Sequence, residues 1–370
     1  MEIYYIISVV LFILCYYSIG QSWEKQKQIA YLLLILLILF DGLRWENGTD
    51  WKNYYDFFID SSDDRFAIFE PGFFMLNKVV YTIWPNYTFL LLIQAILTYI
   101  VLWRFVKKYS PQPVLSVLLF FLLYVSVQGM NRQFWAILIC LLSIDYLLSD
   151  KKWHFVCAVF VAFTFHTSAL LFLCGLFLRR SFSMRLLLML FLISVMLSLT
   201  SFVSKLVDVL LVVSGGDVAM RVMFYSNMDY NDIASSGLMM IVAIAKRLIW
   251  IIPILWLRNK KGLSLSPYIN LFLNYYIVGL IIYLIFNGSM LQILVSRASI
   301  YFNMFEIILI PYVIVNFRRR LSLRLLYIVV YFYGILTMTK GINQYDMPGG
   351  NPFIPYKTIY MNQNVQKNVN

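Results

Sequence analysis

Charged residues are scarce in this chain, and so are the residues that usually bind metals. Only 13% of the 370 residues are charged, whereas 61% are hydrophobic. That balance excludes an ordinary soluble domain, in which about a quarter of the residues are charged. The two His and four Cys leave little for a metal cluster. All four Cys lie in apolar runs, so we interpret them as small buried hydrophobes and expect no metal and no cofactor.

Long apolar runs are what the sequence has instead. Many of them approach or exceed the roughly 20 residues that a helix needs to cross a bilayer. We therefore predict an all-α polytopic membrane protein with about 10–12 transmembrane helices, forming a single membrane domain over residues 1–370. The first run lacks a basic leader and is interpreted as a retained span. The predicted spans are 3–19, 29–43, 87–104, 113–129, 133–149, 154–165, 168–178, 186–203, 238–257, 267–287, 298–316 and 325–338.

The positive charges indicate how the chain is oriented. Of the 30 Lys and Arg residues, 17 lie in six clusters that alternate with acidic or neutral polar segments. This is the positive-inside pattern, and it places the clusters in the cytoplasm. The net charge of +12 is then a topology signal, and we expect no nucleic-acid partner. The predicted outer segments are the loops 44–86, 204–237 and 288–297 and the C-terminal tail 339–370.

The spacing of two basic clusters predicts a break inside the membrane. Lys151 and Arg180 must both lie inside, yet the chain between them is only long enough for about one crossing at ~1.5 Å per residue. We predict a short re-entrant helix pair around 154–178, with its apex at His166. Because irregular backbone at membrane depth needs shielding, this pair also predicts a cavity. The alternative is one tilted helix over 154–178.

Two segments of the outer loops are predicted to be interfacial helices. Segment 70–84 has apolar residues at helical spacing, with Asn77 and Lys78 on another face, which is typical of an amphipathic helix at a membrane surface. Segment 203–213 is the second candidate.

Several cations lie where a bilayer makes charge costly. Lys246 and Arg247 are about 12 Å deep in one apolar run, and Arg132 and Arg297 stand at the outer ends of two others. Each such charge costs roughly 2.5–3.5 kcal/mol to insert. Structural ion pairs, such as Glu306 with Lys246, are one explanation. The excess of cations favours another, the binding of a lipid diphosphate whose tail stays in the bilayer.

The outer loops carry candidate catalytic and sugar-binding residues. Asp50 and Glu70 are the candidate general bases, and His166 is the third. Arg44 and Arg221 are expected to hold loop carboxylates or a second diphosphate. No Asp-X-Asp-like pair occurs in a convincing setting, so metal independence is expected. Sugar contacts are assigned to aromatic and amide side chains, namely Trp51, Tyr54, Tyr301 and Gln133.

Short motifs along most of the chain resemble the EpsG-type branch of the Wzy polysaccharide polymerases. They are Arg44 followed by GTDW, then FEPGF, NRQ, HTSAL, Arg297 before a tyrosine-containing span, and NPFIPYKTIY. The resemblance implies a GT-C-like fold. It also implies an enzyme that joins undecaprenyl-diphosphate-linked oligosaccharide repeat units on the outer face of a bacterial plasma membrane.

Other functions remain open at this stage. A flippase of lipid-linked oligosaccharides would also need a cationic cavity. An O-antigen-ligase-like enzyme or a single-sugar lipid-dependent glycosyltransferase would share the chemistry and differ in the acceptor, and a non-enzymatic scaffold would need none of it. Expected partners are the lipid-linked oligosaccharides, membrane lipids, and a chain-length regulator and flippase of the same pathway.

Overall fold

The architecture was obtained as a computed structural model. It describes residues 1–60, 69–213, 237–260, 265–289, 291–317, 322–346 and 349–361. Arg221 and the expected outer loop after 213 therefore lie outside the described residues.

The described chain is built from α-helices. Helices α1 to α8 span Glu2–Tyr17, Trp23–Gly42, Trp51–Ile59, Pro71–Ile83, Tyr87–Tyr109, Pro113–Tyr124, Asn131–Leu148 and Lys152–Phe163. Helices α9 to α16 span Gly175–Leu178, Met184–Ser198, Phe202–Val213, Gly237–Lys260, Pro267–Phe286, Gln292–Asn303, Glu306–Phe317 and Leu323–Asn343. Among these residues the only β pairing is an isolated bridge between Arg44 and Thr358.

The prediction of an all-α polytopic membrane protein is confirmed. Five helices of the described chain are long and apolar enough to cross a membrane, namely α5, α7, α13, α16 and the Met240–Asn259 part of α12. The number rises to seven if two bent helix pairs each form one span. Further apolar helices, such as α1 and α6, are shorter, so the expected 10–12 spans exceed what length and composition alone support.

The chain divides into two compact units. Unit 1 comprises residues 1–170 and 310–370, and unit 2 comprises residues 171–309. Unit 1 is organised around α5, α6 and α7, most of whose residues are buried. In unit 2, the most buried helix is α13, whose Phe272 and Tyr275 rings stack near Phe305 at 4.6 and 4.9 Å.

The predicted break in segment 154–178 is present. Helix α8 ends at Phe163, and a 3-10 helix over Thr167–Cys174 begins after a turn. His166 lies in that turn and is 8% exposed. The alternative of one continuous helix is therefore wrong.

The helix predicted over segment 70–84 is present as α4, and its position at a membrane interface stays a prediction. Phe73 and Val80 are buried, whereas Met75, Val79 and Ile83 are 50–71% exposed. The placement of Asn77 on the polar face was wrong. Asn77 is fully buried, and its amide donates to the carbonyl of Phe73 at 2.7 Å.

Candidate functional site

The candidate site lies at the start of α7 in unit 1. Arg132, in the first turn of this helix, forms an ion pair with Glu70, and both side chains are largely buried. Its Nε also donates to the Tyr54 hydroxyl at 3.3 Å. The guanidinium lies over the Phe69 ring, 4.2 Å from its centroid. Arg132 is therefore held by a carboxylate, a phenol and a ring face, with its planar head fixed in one orientation.

Glu70 is fixed from a second side by the turn after α8. Its Oε1 accepts from the backbone N–H of Thr167 at 3.3 Å. Nearby, the backbone N–H of Gly72 donates to the carbonyl of Thr164 at 2.7 Å. A Cβ at residue 72 would lie 2.8 Å from that carbonyl oxygen, so only glycine permits the approach. These contacts bring the FEPGF and HTSAL motifs together.

Arg44 forms a second, deeper polar centre. It is 2% exposed and is ion-paired with Asp41. Its Nη2 donates to the Oδ1 of Asn131 at 2.9 Å, and the Asn131 amide donates to the Tyr87 hydroxyl at 3.2 Å. Asn131 and Arg132 are neighbours in the first turn of α7. One polar centre therefore contacts this turn through Asn131 and the other through Arg132.

The loop after Arg44 is fixed by close backbone contacts. Gly48 and Gly129 have φ values of +105° and +98°. A Cβ on either glycine would lie 2.9 Å from the Cα of the other. The first residue of the GTDW motif therefore meets the chain two residues before the NRQ motif, at a point where both residues must be glycine.

The C-terminal segment covers this loop. The N–H groups of Trp45 and Gly48 donate to the carbonyls of Lys357 and Pro352 at 2.9 and 3.0 Å. The Tyr356 hydroxyl donates to the carbonyl of Phe40. Burial and the nearby Asp41 carboxylate raise the pKa of the Tyr356 hydroxyl above its ordinary value. The NPFIPYKTIY motif is thus part of unit 1 and packs on the Arg44 loop.

The predicted sugar-binding aromatics of unit 1 form a packed cluster in this structure. Trp51 and Tyr54 are 7% and 2% exposed. Trp51 stacks on Tyr55 at 5.0 Å and meets the Tyr87 ring edge-on at 5.6 Å. Tyr55 is half-buried, so its ring is more accessible to a sugar than the rings of Trp51 and Tyr54. Sugar contacts by Trp51 and Tyr54 stay a prediction.

Three more predicted site residues lie in unit 1, namely the candidate bases Asp50 and His166 and the candidate sugar-binding residue Gln133. Asp50 is half-buried at the N-cap position of α3, one turn before Tyr54. The Nδ1 of His166 is 2.6 Å from the Ser168 hydroxyl. Gln133 is 1% exposed on α7. Their assigned roles stay predictions.

The remaining predicted site residues lie in unit 2. Lys246 and Arg247 are half-buried within the candidate span Met240–Asn259. The Arg247 guanidinium lies 4.4 Å from the Tyr283 ring centroid, and its Nη1 donates to the carbonyl of Ala243 at 3.0 Å. Arg297 is half-buried, and Tyr301 is 1% exposed.

Some contributors to the site were not predicted. The Asn131 amide and the Thr167 N–H contact the predicted residues Arg44 and Glu70, and the Tyr87 hydroxyl accepts from Asn131. Asn131 belongs to the NRQ motif, so its position beside Arg132 was available as a signal. A backbone N–H such as that of Thr167 leaves no trace in the sequence.

A comparison with protein families identifies the chain. The model of the EpsG family matches residues 27–358, which include every motif named above except the last two residues of NPFIPYKTIY. The chain belongs to the EpsG family. No curated protein and no solved structure matches it significantly. EpsG membership supports a general role in polysaccharide polymerisation, carried out by a multi-pass membrane protein.

Proposed function

We propose that this EpsG protein is a polysaccharide polymerase of the glycosyltransferase class. It joins undecaprenyl-diphosphate-linked oligosaccharide repeat units on the outer face of a bacterial plasma membrane. The observation that carries the proposal is the Arg132–Glu70 pair, on which three of the family motifs converge. Glycosyl transfer from a diphosphate needs a cation to stabilise the leaving group and a base to deprotonate the acceptor hydroxyl. The pair supplies one group of each kind.

Arg132 is proposed to bind the leaving diphosphate. The acceptor oxygen attacks the anomeric carbon of the donor glycan, and the bond from that carbon to the diphosphate oxygen breaks. Negative charge then grows on the diphosphate, where a fixed guanidinium stabilises it most. Lys246, Arg247 and Arg297 are proposed to add further positive charge for the same diphosphate or a second one.

Glu70 is proposed to be the general base. It takes the proton of the acceptor hydroxyl as the new glycosidic bond forms. In the substrate-free protein Glu70 is bound to Arg132. An incoming diphosphate competes for that guanidinium and leaves Glu70 with the N–H of Thr167 as its remaining described partner. Binding of the donor therefore makes the base available.

Metal independence is part of this proposal, since Arg132 supplies the positive charge that a divalent ion supplies elsewhere. A chain-length regulator and a flippase are the proposed protein partners.

The first test separates transfer from transport. Purified Glu70→Gln protein is given lipid-diphosphate-linked repeat units, and binding and glycosidic bond formation are measured together. The proposal expects binding to be retained and bond formation to fall by about 10²–10⁴-fold. Unchanged bond formation would remove Glu70 from catalysis. Binding and translocation of the lipid-linked unit, with no bond formed by the wild-type protein, would support a flippase.

A further inference from the structure

A small polar cavity lies in unit 1 beside Arg44. Its volume is about 20 Å³. Aromatic side chains of α5 and α6 form much of its wall, and five polar residues face it, namely Asp41, Arg44, Gln94, Thr98 and Gln128. Gln94 and Thr98 are one turn apart on α5, so they share a face of a candidate membrane span.

Three buried polar atoms of these residues have no hydrogen-bond partner in the described part of the chain. They are the Nε of Arg44, the Oε1 of Gln94 and the Oε1 of Gln128. The three residues are 2%, 6% and 8% exposed. Leaving such groups unpaired destabilises a folded protein, and buried polar groups are nearly always satisfied.

We infer that this cavity binds one water molecule. A water accepts one hydrogen bond from Arg44 Nε and donates two, one to each glutamine oxygen, which satisfies all three atoms. The volume exceeds the roughly 10–15 Å³ that a single water needs. A metal cation is disfavoured because the Arg44 guanidinium lines the same space, and a whole sugar ring is too large.

The bound water extends the network that holds the start of α7. Arg44 already has partners on its two terminal nitrogens. The water supplies the partner for its third nitrogen and links α5 and the Gln128 turn to it. Arg44 in turn holds Asn131, the neighbour of Arg132. This inference concerns a ligand of the folded protein and does not depend on the proposed reaction.

A map of the full-length protein in a lipid nanodisc, at a resolution that shows ordered waters, tests the inference. A density peak is expected within about 3 Å of Arg44 Nε, Gln94 Oε1 and Gln128 Oε1. An empty cavity, or a direct hydrogen bond from Arg44 Nε to either glutamine, would overturn it.

A variant pair tests which groups hold the water. Gln94→Leu removes one acceptor and is expected to abolish the peak and lower the Tm by about 2–4 °C. Thr88→Val is the matched control, because the Thr88 hydroxyl is also buried without a described partner on α5 but lies outside the cavity. It is expected to keep the peak. A peak that persists unchanged in Gln94→Leu would contradict the assignment.

Discussion

At the scale of single residues, the sequence identified the important charges but not their partners. Glu70 and Arg132 were both predicted, one as a base and the other as a diphosphate ligand. The structure joins them directly, although 62 positions separate them. The sequence shows which cations and carboxylates are close together along the chain. It does not show a contact between two residues that are far apart in the sequence.

The role of Arg132 is tested by two substitutions. Arg132→Ala is expected to lower the rate of glycosyl transfer by about 10²–10³-fold, because a fixed positive charge at the leaving group is lost. Arg132→Lys keeps the charge but loses the bidentate fork, so its rate should lie between alanine and wild type. The rate is measured with purified protein and a lipid-diphosphate-linked donor.

Arg104→Ala provides the control for this series. Arg104 is also ion-paired in unit 1, with Asp145, but its side chain is 68% exposed. Exposed pairs contribute little, so the rate should not change. Equal losses for Arg104→Ala and Arg132→Ala would show that the assay reports folding and not the site.

A comparison of carboxylates identifies the base. Glu70→Gln is expected to reduce transfer far more than Asp50→Asn, because Glu70 contacts both Arg132 and the N–H of Thr167. Glu46→Gln removes an exposed carboxylate that pairs with Lys357 and should leave the rate unchanged. The measurement is the transfer rate at saturating donor. A larger loss for Asp50→Asn than for Glu70→Gln would move the base to Asp50.

At the scale of elements, the sequence was most informative where two constraints acted together. The break near His166 was predicted because two basic clusters must share one side of the membrane while the chain between them is short. Helix α4 was predicted from its apolar spacing. The error at Asn77 arose because an amide was assigned to solvent by type, whereas its donation to the Phe73 carbonyl permits burial.

The packing of the C-terminal segment on the Arg44 loop could not be predicted, since backbone hydrogen bonds are independent of side-chain identity.

The contact between Gly48 and Gly129 gives an element-scale prediction. Gly48→Ala should destabilise the protein by more than the roughly 1–2 kcal/mol that a left-handed conformation costs a non-glycine residue. The new Cβ would also lie 2.7 Å from the carbonyl oxygen of Gln128. Gly350→Ala is the control, since Gly350 has a φ of +96° with open space around it. Thermal unfolding in detergent measures both, and equal shifts would argue against the close contact.

The C-terminal segment that packs on the Arg44 loop gives a second element-scale prediction. Phe353 is fully buried, and its carbonyl accepts from the Tyr4 hydroxyl at 3.0 Å. Phe353→Ala is expected to cost about 3–5 kcal/mol in the free energy of unfolding. Tyr360 is 72% exposed, so Tyr360→Ala should stay within about 0.5 kcal/mol of wild type. An unaffected Phe353→Ala protein would mean that the segment does not pack on unit 1.

At the scale of the whole molecule, the sequence predicted the class and the family correctly. Apolar runs indicated the all-α membrane fold, and the order of the motifs indicated EpsG. The number of spans was less certain, because short apolar helices such as α1, α6 and α8 meet the composition of a span but not its length. Hydropathy alone does not separate a short span from a partly inserted helix.

Orientation is tested by labelling intact cells of a cysteine-free variant into which single cysteines are introduced. Glu46→Cys should react with a membrane-impermeant maleimide added outside, because Glu46 is exposed on the predicted outer loop. Lys151→Cys should react only after the cells are opened, because Lys151 belongs to a predicted cytoplasmic cluster. The reverse pattern would invert the topology and place Arg132 and Glu70 on the cytoplasmic side.

The most direct test of the central claim is the size of the product. Purified protein is reconstituted with lipid-diphosphate-linked repeat units, and the glycans are resolved by length beside an Arg132→Ala protein that unfolds at the wild-type temperature. A ladder of many repeat units that disappears in Arg132→Ala is the predicted result. A product extended by a single unit would indicate a ligase or a single-sugar transferase, and a ladder unchanged in Arg132→Ala would contradict the site proposed at the start of α7.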